Sequence, residues 1–376
     1  MLLFLLCAGC ILYVLAGYPV ALGFLARRRH RPVKKGSELP TVSVIIPVHN
    51  GGRFVAEKLE SVFALDYPHE LLEVIVVADG CTDETEAVVR RIPAGQVRLI
   101  SIPRSGKAVA LNVGVSCAAG RILLMTDVRQ QLQRDSLRTM AACFEDSEVG
   151  VVSGVVVFRE GTCHDQADIR LYWRYESWIR EKLSEIDSMF GATGPFYAIR
   201  RSLFVPLPED ILLDDVYLPM MAFLRGYRLI VEPAARATDY PMTSAREFAR
   251  KVRTLGGNYQ LMLRLPVLLT RRNRLLWHFL SYKLGRLLLP WLLALLLATS
   301  FLFPSPWSAT LVCMQISFYL LAALDPKVPQ HIFLKRISSP SHTFVMLMAA
   351  TIRGLQVLFV PARTLWKVTD LGSVDS

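Results

Sequence analysis

Residues 2–26, LLFLLCAGCILYVLAGYPVALGFLA, hold no charged side chain. At about 1.5 Å of rise per residue, such a run crosses a hydrocarbon layer of roughly 30 Å as one helix. A transmembrane helix is expected over 1–26. A cleaved leader would carry basic residues ahead of the run and a small-x-small site after it, and this run has neither. It ends in Arg27, Arg28, Arg29, His30 and Arg31, with Lys34 and Lys35 close behind. Basic flanks stay on the cytoplasmic side, so 27–40 is read as a basic linker and the domain after it as cytoplasmic.

A second apolar concentration lies near the other end, in 284–303, 308–325 and 341–362. The region 284–362 is expected to span two or three times, the last segment being interrupted by Arg353, since a charge at mid-bilayer depth is costly. Residues 259–283 mix apolar and basic blocks around Pro266 and read as a surface-lying amphipathic segment; 363–376 is a tail. The chain is thus expected to sit in the cytoplasmic (inner) membrane, multi-pass. The net charge of +11 gathers at membrane flanks, where anionic head groups account for it, and no base-stacking or recognition module points to nucleic acid. Seven cysteines at 7, 10, 81, 117, 143, 163 and 313 form no metal-ligand spacing; Cys7 and Cys10 fall inside the membrane run, and a reducing compartment fits.

Between these regions, 41–258 reads as an α/β domain. The runs 41–48, 72–79, 97–102, 121–127 and 149–158 are short and rich in β-branched residues, the pattern of strands buried on both faces. Helical stretches lie between them at 53–65, 82–92 and 106–120, with another at 163–187. Asp83 and Glu86 have capping-box spacing at the second. Alternation of this kind predicts a doubly wound, mostly parallel sheet, whose ligands bind beyond the carboxyl ends of the strands. The first strand ends in Pro47, His49 and Asn50, the second in Asp79 and the fourth in Asp127, all on one edge. An aspartate after a strand is commonly a turn former or cap, and Asp83 serves that way, which leaves Asp79 for other work. The aromatic stripe Tyr172, Trp173, Tyr175 and Trp178, with Glu176, favours packing over sugar stacking. Asp214 and Asp215 open a helix, where the dipole keeps carboxylates ionised.

The ordered set SVIIPVHNGGRFVAEKLESVFALDYP, VIVVADGCTDET and RSGKAVALNVGVSCAAGRILLMTD resembles the nucleotide-sugar half of the family 2 glycosyltransferases, over roughly 41–260. The resemblance implies a GT-A-type fold and a membrane glycosyltransferase that moves a sugar from a nucleotide-linked donor, most commonly a uridine diphosphate, onto a membrane-associated glycan or glycolipid. By that resemblance Pro47, His49, Asn50, Glu57 and Asp79 line the nucleoside pocket, with Lys107 and Asn112 nearby. Asp127 holds a divalent metal, Mg²⁺ or Mn²⁺. Gly194, Pro195 and Phe196 form a wall on the acceptor side. Asp215 is the general base, and a single displacement inverts the anomeric centre.

Two departures from the family pattern stand out. Arg129 replaces the second acid of DxD, either to contact a phosphate or to point away, and one carboxylate suffices for a hydrated Mg²⁺ in principle. In EFARKVRTLGGNYQ, Arg250, Arg253 and Thr254 stand where QxxRW would place Gln, Arg and Trp. Arg253 retains a guanidinium suited to diphosphate, while the missing tryptophan counts against a processive synthase. That synthase, acting with itself or a glycan-assembly partner, and an inactive scaffold are the alternatives.

Overall fold

The computed structural model describes residues 1–93, 95–158, 166–240, 244–329 and 331–365; at 158, 166–172, 244–246 and 363 it describes the backbone alone. The Tyr172 side chain, Cys163 and most of the expected tail therefore lie outside the described residues. The strands are β1 (Val42–Val48), β2 (Leu72–Asp79), β3 (Arg98–Ile102), β4 (Ile122–Thr126), β5 (Gln131–Leu132), β6 (Val149–Phe158), β7 (Phe196–Arg200) and β8 (Arg228–Asp239). The helices are α1 (Leu2–Leu12), α2 (Tyr18–Arg28), α3 (Gly52–Phe63), α4 (Thr85–Arg90), α5 (Lys107–Ser116), α6 (Ser136–Ala142), α7 (Gln166–Ile186), α8 (Asp214–Leu224), α9 (Ser244–Arg264), α10 (Leu276–Phe279), α11 (Gly285–Ser300), α12 (Trp307–Leu324) and α13 (Lys335–Gly354). They fall into two compact units: residues 1–28, 162–179 and 243–361 form one, and 29–161, 180–242 and 362–376 the other.

The second unit is built on one eight-stranded sheet in the order β3-β2-β1-β4-β7-β6-β8-β5. β1 runs parallel to both β2 and β4, and β2 parallel to β3. Strand order therefore reverses at β1, which opens a crevice between the carboxyl ends of β1 and β4, the place where such sheets take ligands. β7 enters antiparallel to β4 and β6, and β8 returns parallel to β6. The result is a GT-A-like α/β fold with a mostly parallel sheet. β1 and β2 are buried almost throughout, as their unbroken apolar runs require. α3 covers one face through Phe54, Val55, Leu59 and Val62.

One local expectation fails. Asp83 does not form a capping box with Glu86: its carboxylate takes the N–H of Thr85 at 3.1 Å, as in an Asx turn, and the N–H of Gly52 at 2.9 Å. Glu86 pairs instead with Arg90 one turn on, at 2.9 Å. The helix starts at Thr85, one residue later than the box needs.

The other unit is helical. Three helices, Leu2–Arg28, Leu276–Ser300 and Trp307–Lys327, are long and apolar enough to cross a membrane. The first matches the expected N-terminal span. The second begins at Leu276 rather than 284, because Leu276, Trp277, Phe279 and Leu280 continue the apolar pattern through a π turn at Leu280–Leu284. The stretch expected to lie on the surface is accordingly divided between the end of α9, a turn at Pro266–Leu269 and this helix. The first and second helices meet through Tyr13 and Ser281, whose hydroxyls are 2.7 Å apart, and Phe4 packs edge to face at 5.0 Å on Phe303, three residues past the second helix.

The segment expected at 341–362 is α-helical to Gly354, continues as a 3₁₀ turn at Leu355–Leu358 and is not among the three. It packs on α9, where a Cβ placed on Gly354 would come within 2.8 Å of the Gly256 amide nitrogen. In the same unit Glu176 of α7 takes Arg286 at 2.5 Å and the Tyr282 hydroxyl. Arg250 and Lys251 lie over the Trp173 ring at 5.1 and 4.8 Å. The described part of the aromatic stripe is thus engaged in packing.

Candidate active site

At the carboxyl ends of β1 and β2, polar groups close on one another. The His49 ring donates from Nδ1 to the Asp79 carbonyl at 2.8 Å. Asn50, at a positive φ of 49° that asparagine tolerates, accepts the Thr82 N–H at 2.9 Å. Asp79 is 2% exposed, and its carboxylate receives the Arg104 guanidinium and the N–H groups of Ser105 and Gly106, at 2.5 and 2.9 Å. A carboxylate held by amides just ahead of α5 also suits that helix's dipole. Glu57 lies exposed on α3, paired with Gln131 and the Tyr240 hydroxyl.

The carboxyl end of β4 is assembled differently. Asp127 follows the strand, its N–H bound to the Pro195 carbonyl at 3.2 Å, and its side chain is 36% exposed. Lys107, the first residue of α5, places Nζ 3.0 Å from Asp127 Oδ1 and 3.3 Å from Asp214 Oδ1. Burial alone would lower the Lys107 pKa, but the negative charges of Asp127, Asp214 and Asp215 outweigh it and hold the ammonium well above its usual range. Asp214 is only 8% exposed at its side chain, and its Oδ2 has no hydrogen-bond partner. Beside it, Asp215 lies against the turn that precedes β7: its carbonyl accepts the Ala192 N–H at 2.7 Å, and a Cβ on Gly194 would fall 2.8 Å from its Oδ2. Only glycine leaves that carboxylate in place.

The Gly194-Pro195-Phe196 turn is in turn held against β4, with Phe196 opposite Thr126. The expected metal ligand, the expected base and the expected acceptor-side wall therefore meet in one place.

Residues 43–206 match the family model described as glycosyl transferase family 2. This segment is similar to the family 2 glycosyltransferases. The poly-β-1,6-N-acetyl-D-glucosamine synthase of Staphylococcus aureus (strain COL) is 24% identical over 235 residues, 60% of this chain and 57% of the relative. A probable glycosyltransferase of Bacillus subtilis (strain 168), YdaM, is 26% identical over 246 residues with the same coverage. The chain thus spans little more than half the length of these curated relatives. Among solved structures, the Pyrobaculum calidifontis mannosyltransferase PcManGT, in complex with GDP-mannose and Mn²⁺, superposes with a TM-score of 0.73 at 22% identity, covering 95% of this chain and 99% of that one. The likeness shows a shared fold.

Other expected site residues are placed less simply. Asn112 spends its amide on the Leu207 backbone, donating to the carbonyl at 2.9 Å and accepting the N–H at 2.8 Å. It is a clamp between α5 and the segment before α8. Pro47 lies within β1, and Arg253 lies on α9, in the helical unit. Arg129 donates to Asp239 at the end of β8, 2.6 Å away, and Gln130 donates to the same oxygen at 2.8 Å. The charge of Arg129 is thus met by Asp239.

Three further groups went unmarked in the sequence. Asp214 passes for an ordinary first-turn acid, yet it shares Lys107 with Asp127. Tyr197 is buried beneath the three aspartates, and burial together with their charges drives its phenol far above its usual pKa. Lys58 on α3 is 0% exposed; burial lowers its amine to about 7, although Asp127 pulls the other way. The helical phase of Phe54, Val55, Leu59 and Val62 puts Lys58 on the apolar face, and that was the available signal.

Proposed function

We propose that the chain is an inverting, metal-dependent glycosyltransferase that moves a sugar from a nucleotide-sugar donor to a membrane-associated glycan or lipid acceptor. The observation that carries this reading is the meeting of Asp127, Lys107, Asp214 and Asp215 beside the Gly194-Pro195 turn at the β4 edge. The donor set suits a hard divalent ion. Asp127 offers an accessible carboxylate, Asp214 turns a buried oxygen without a partner into the same cluster, and among the described residues no group of three His, Cys, Asp or Glu forms a complete protein cage. An ion held by one or two carboxylates, with phosphate oxygens and water completing its shell, fits that arrangement. When bound, the ion supplies positive charge to the diphosphate leaving group.

The chain's own residues do the rest. Asp215 Oδ2 accepts the proton of the acceptor hydroxyl as its oxygen attacks the anomeric carbon opposite the departing diphosphate. The bond to the acceptor forms as the bond to the diphosphate breaks, and the configuration inverts. Gly194 keeps a small wall at the base. Lys107 offers an ammonium to the phosphates beside Asp127. Pro47, His49, Asn50, Asp79 and Glu57 border the nucleoside, and Arg253 on α9 is assigned to the diphosphate by resemblance. The basic linker and the three apolar helices support a membrane site with the domain on the cytoplasmic side.

A processive polymerase is the second reading, favoured by the name of the S. aureus relative and disfavoured by Thr254 in place of a stacking tryptophan.

The test is nucleotide release by the detergent-purified protein across UDP- and GDP-linked sugars, with and without Mn²⁺ or Mg²⁺. Wild type is compared with Asp127→Asn and Asp215→Asn, with membrane lipid extract as acceptor source. Release from one donor that requires metal and both carboxylates is expected. No release from any donor, with nucleotide still bound, would favour a scaffold.

A further inference from the structure

Lys58 is a full lysine with none of its surface exposed, and among the described residues its ammonium forms no ion pair with a carboxylate. Burying a cation in that way is costly, and an apolar side chain of similar volume would fill the position without the penalty. What Lys58 makes, and an apolar chain could not, is a pair of hydrogen bonds: Nζ donates to Thr126 Oγ1 at 2.6 Å and to the Gln130 carbonyl at 2.7 Å.

These two acceptors bracket Asp127. Thr126 Oγ1 passes its own proton to the Pro195 carbonyl at 2.9 Å, and the same carbonyl accepts the Asp127 N–H at 3.2 Å. On the far side, Asp239 holds Arg129 and Gln130. Residues 126–130 are therefore braced by a buried cation from α3 and a buried anion from β8, and the one charged side chain of the segment left for the crevice is Asp127.

We propose that Lys58 is a positioning residue: it fixes the 126–130 segment so that the Asp127 carboxylate is presented to a divalent cation. The inference rests on the reading of Asp127 as that cation's ligand. Partners that orient a ligand from behind are worth about 10- to 100-fold in metal affinity.

The test measures Mn²⁺ binding to the full chain in detergent through loss of the free-ion EPR signal, first with Mn²⁺ alone and then with UDP or GDP, protein-free samples being subtracted. Wild type is compared with Asp127→Asn, Lys58→Met, Thr126→Val and the Lys58→Met/Thr126→Val pair. Elution profile and unfolding midpoint serve as controls on folding. Lys58→Met should bind Mn²⁺ roughly 10-fold more weakly, Thr126→Val less severely, and the pair by less than the two losses combined, since both substitutions remove the Lys58–Thr126 bond.

A lysine with a purely structural role would lower the unfolding midpoint and leave Mn²⁺ affinity at the wild-type value, and that result overturns the proposal. Should Lys58→Met fail to fold, Thr126→Val decides: wild-type affinity there is equally fatal. Asp127→Asn separates the two readings. If it binds Mn²⁺ like wild type, or if wild type shows no saturable binding, Asp127 is not the ligand. If it alone loses binding, the ligand stands and the brace falls.

Discussion

The two halves of the crevice differ in how their polar groups are satisfied. At the ends of β1 and β2, His49, Asn50 and Asp79 are closed on neighbouring chain: ring to carbonyl, amide to N–H, carboxylate to Arg104 and two backbone amides. At the end of β4, Asp127 and Asp214 share one ammonium on which the charge of Asp215 also acts, an Asp214 oxygen has no partner among the described residues, and Asp127 is more than a third exposed. The first half is closed on itself by these bonds. The second carries more negative charge than Lys107 balances.

The sharpest way to break that comparison is at Asp215. Asp215→Asn should lower kcat by about 10²- to 10⁴-fold, the usual worth of a general base, with the donor KM changed little. Single-turnover rates at saturating donor check it. A loss lying in donor KM instead would move Asp215 to the binding half.

Next in size is Lys107→Met, which leaves Asp127 and Asp214 facing each other uncompensated. Removing one partner of a well-buried pair costs about 3–5 kcal/mol; with Asp127 partly solvated, about 1–3 kcal/mol is expected. The unfolding midpoint should fall, and added Mn²⁺ should restore more of it in the variant than it adds to wild type, the ion taking up the charge that the lysine balanced. An equal Mn²⁺ effect in both proteins would show that the cation does not enter this cluster.

Asp79→Asn probes the closed half. A carboxylate that accepts two amides and a guanidinium contributes charge-assisted bonds, and about 1–3 kcal/mol of stability should be lost. Mn²⁺ affinity should remain at the wild-type value, as measured by the same EPR titration. A coupled loss would mean that the two halves act as one unit.

The contrast also explains what could be read in the sequence. β2 and β6 begin and end at the residues expected, because a strand buried over most of its length writes itself as a largely apolar, β-branched-rich run. β8 was not foreseen, since Pro233 and alternating charges break RLIVEPAARATD, and it forms because β6 supplies a parallel partner. Asp127 and Asp215 were legible because a strand end and a helix start are local features, reinforced by the family resemblance. Arg129 was not: Asp239 lies 110 residues further along the chain, and no local spacing announces it. The Asn112 clamp was hidden for a related reason, its partner being the distant Leu207 backbone. The apolar helix begins at Leu276 rather than at 284 because Lys283 is accommodated inside a continuous helix, its Nζ near Asn258 at 3.4 Å.

Lys58 supplies the smallest expected effect. Its amine falls from the ordinary lysine range to about 7 through burial, with Asp127 opposing the shift. In the unfolded chain the same group stays protonated to roughly 10.4. Between these values the unfolded state binds more protons than the folded one, so stability attributable to this group rises with pH. The penalty for burying the cation is fully present below about 7 and is relieved as pH climbs toward the unfolded value. Lys251 on α9, lowered to about 8 by burial, acts in the same sense, so wild type alone does not isolate the effect. The decisive quantity is the change in unfolding midpoint from pH 7 to pH 9, which should be smaller in Lys58→Met than in wild type. Equal changes would show that Lys58 keeps an ordinary pKa, and that the segment carrying Asp127 is held by a lysine that stays charged throughout that range.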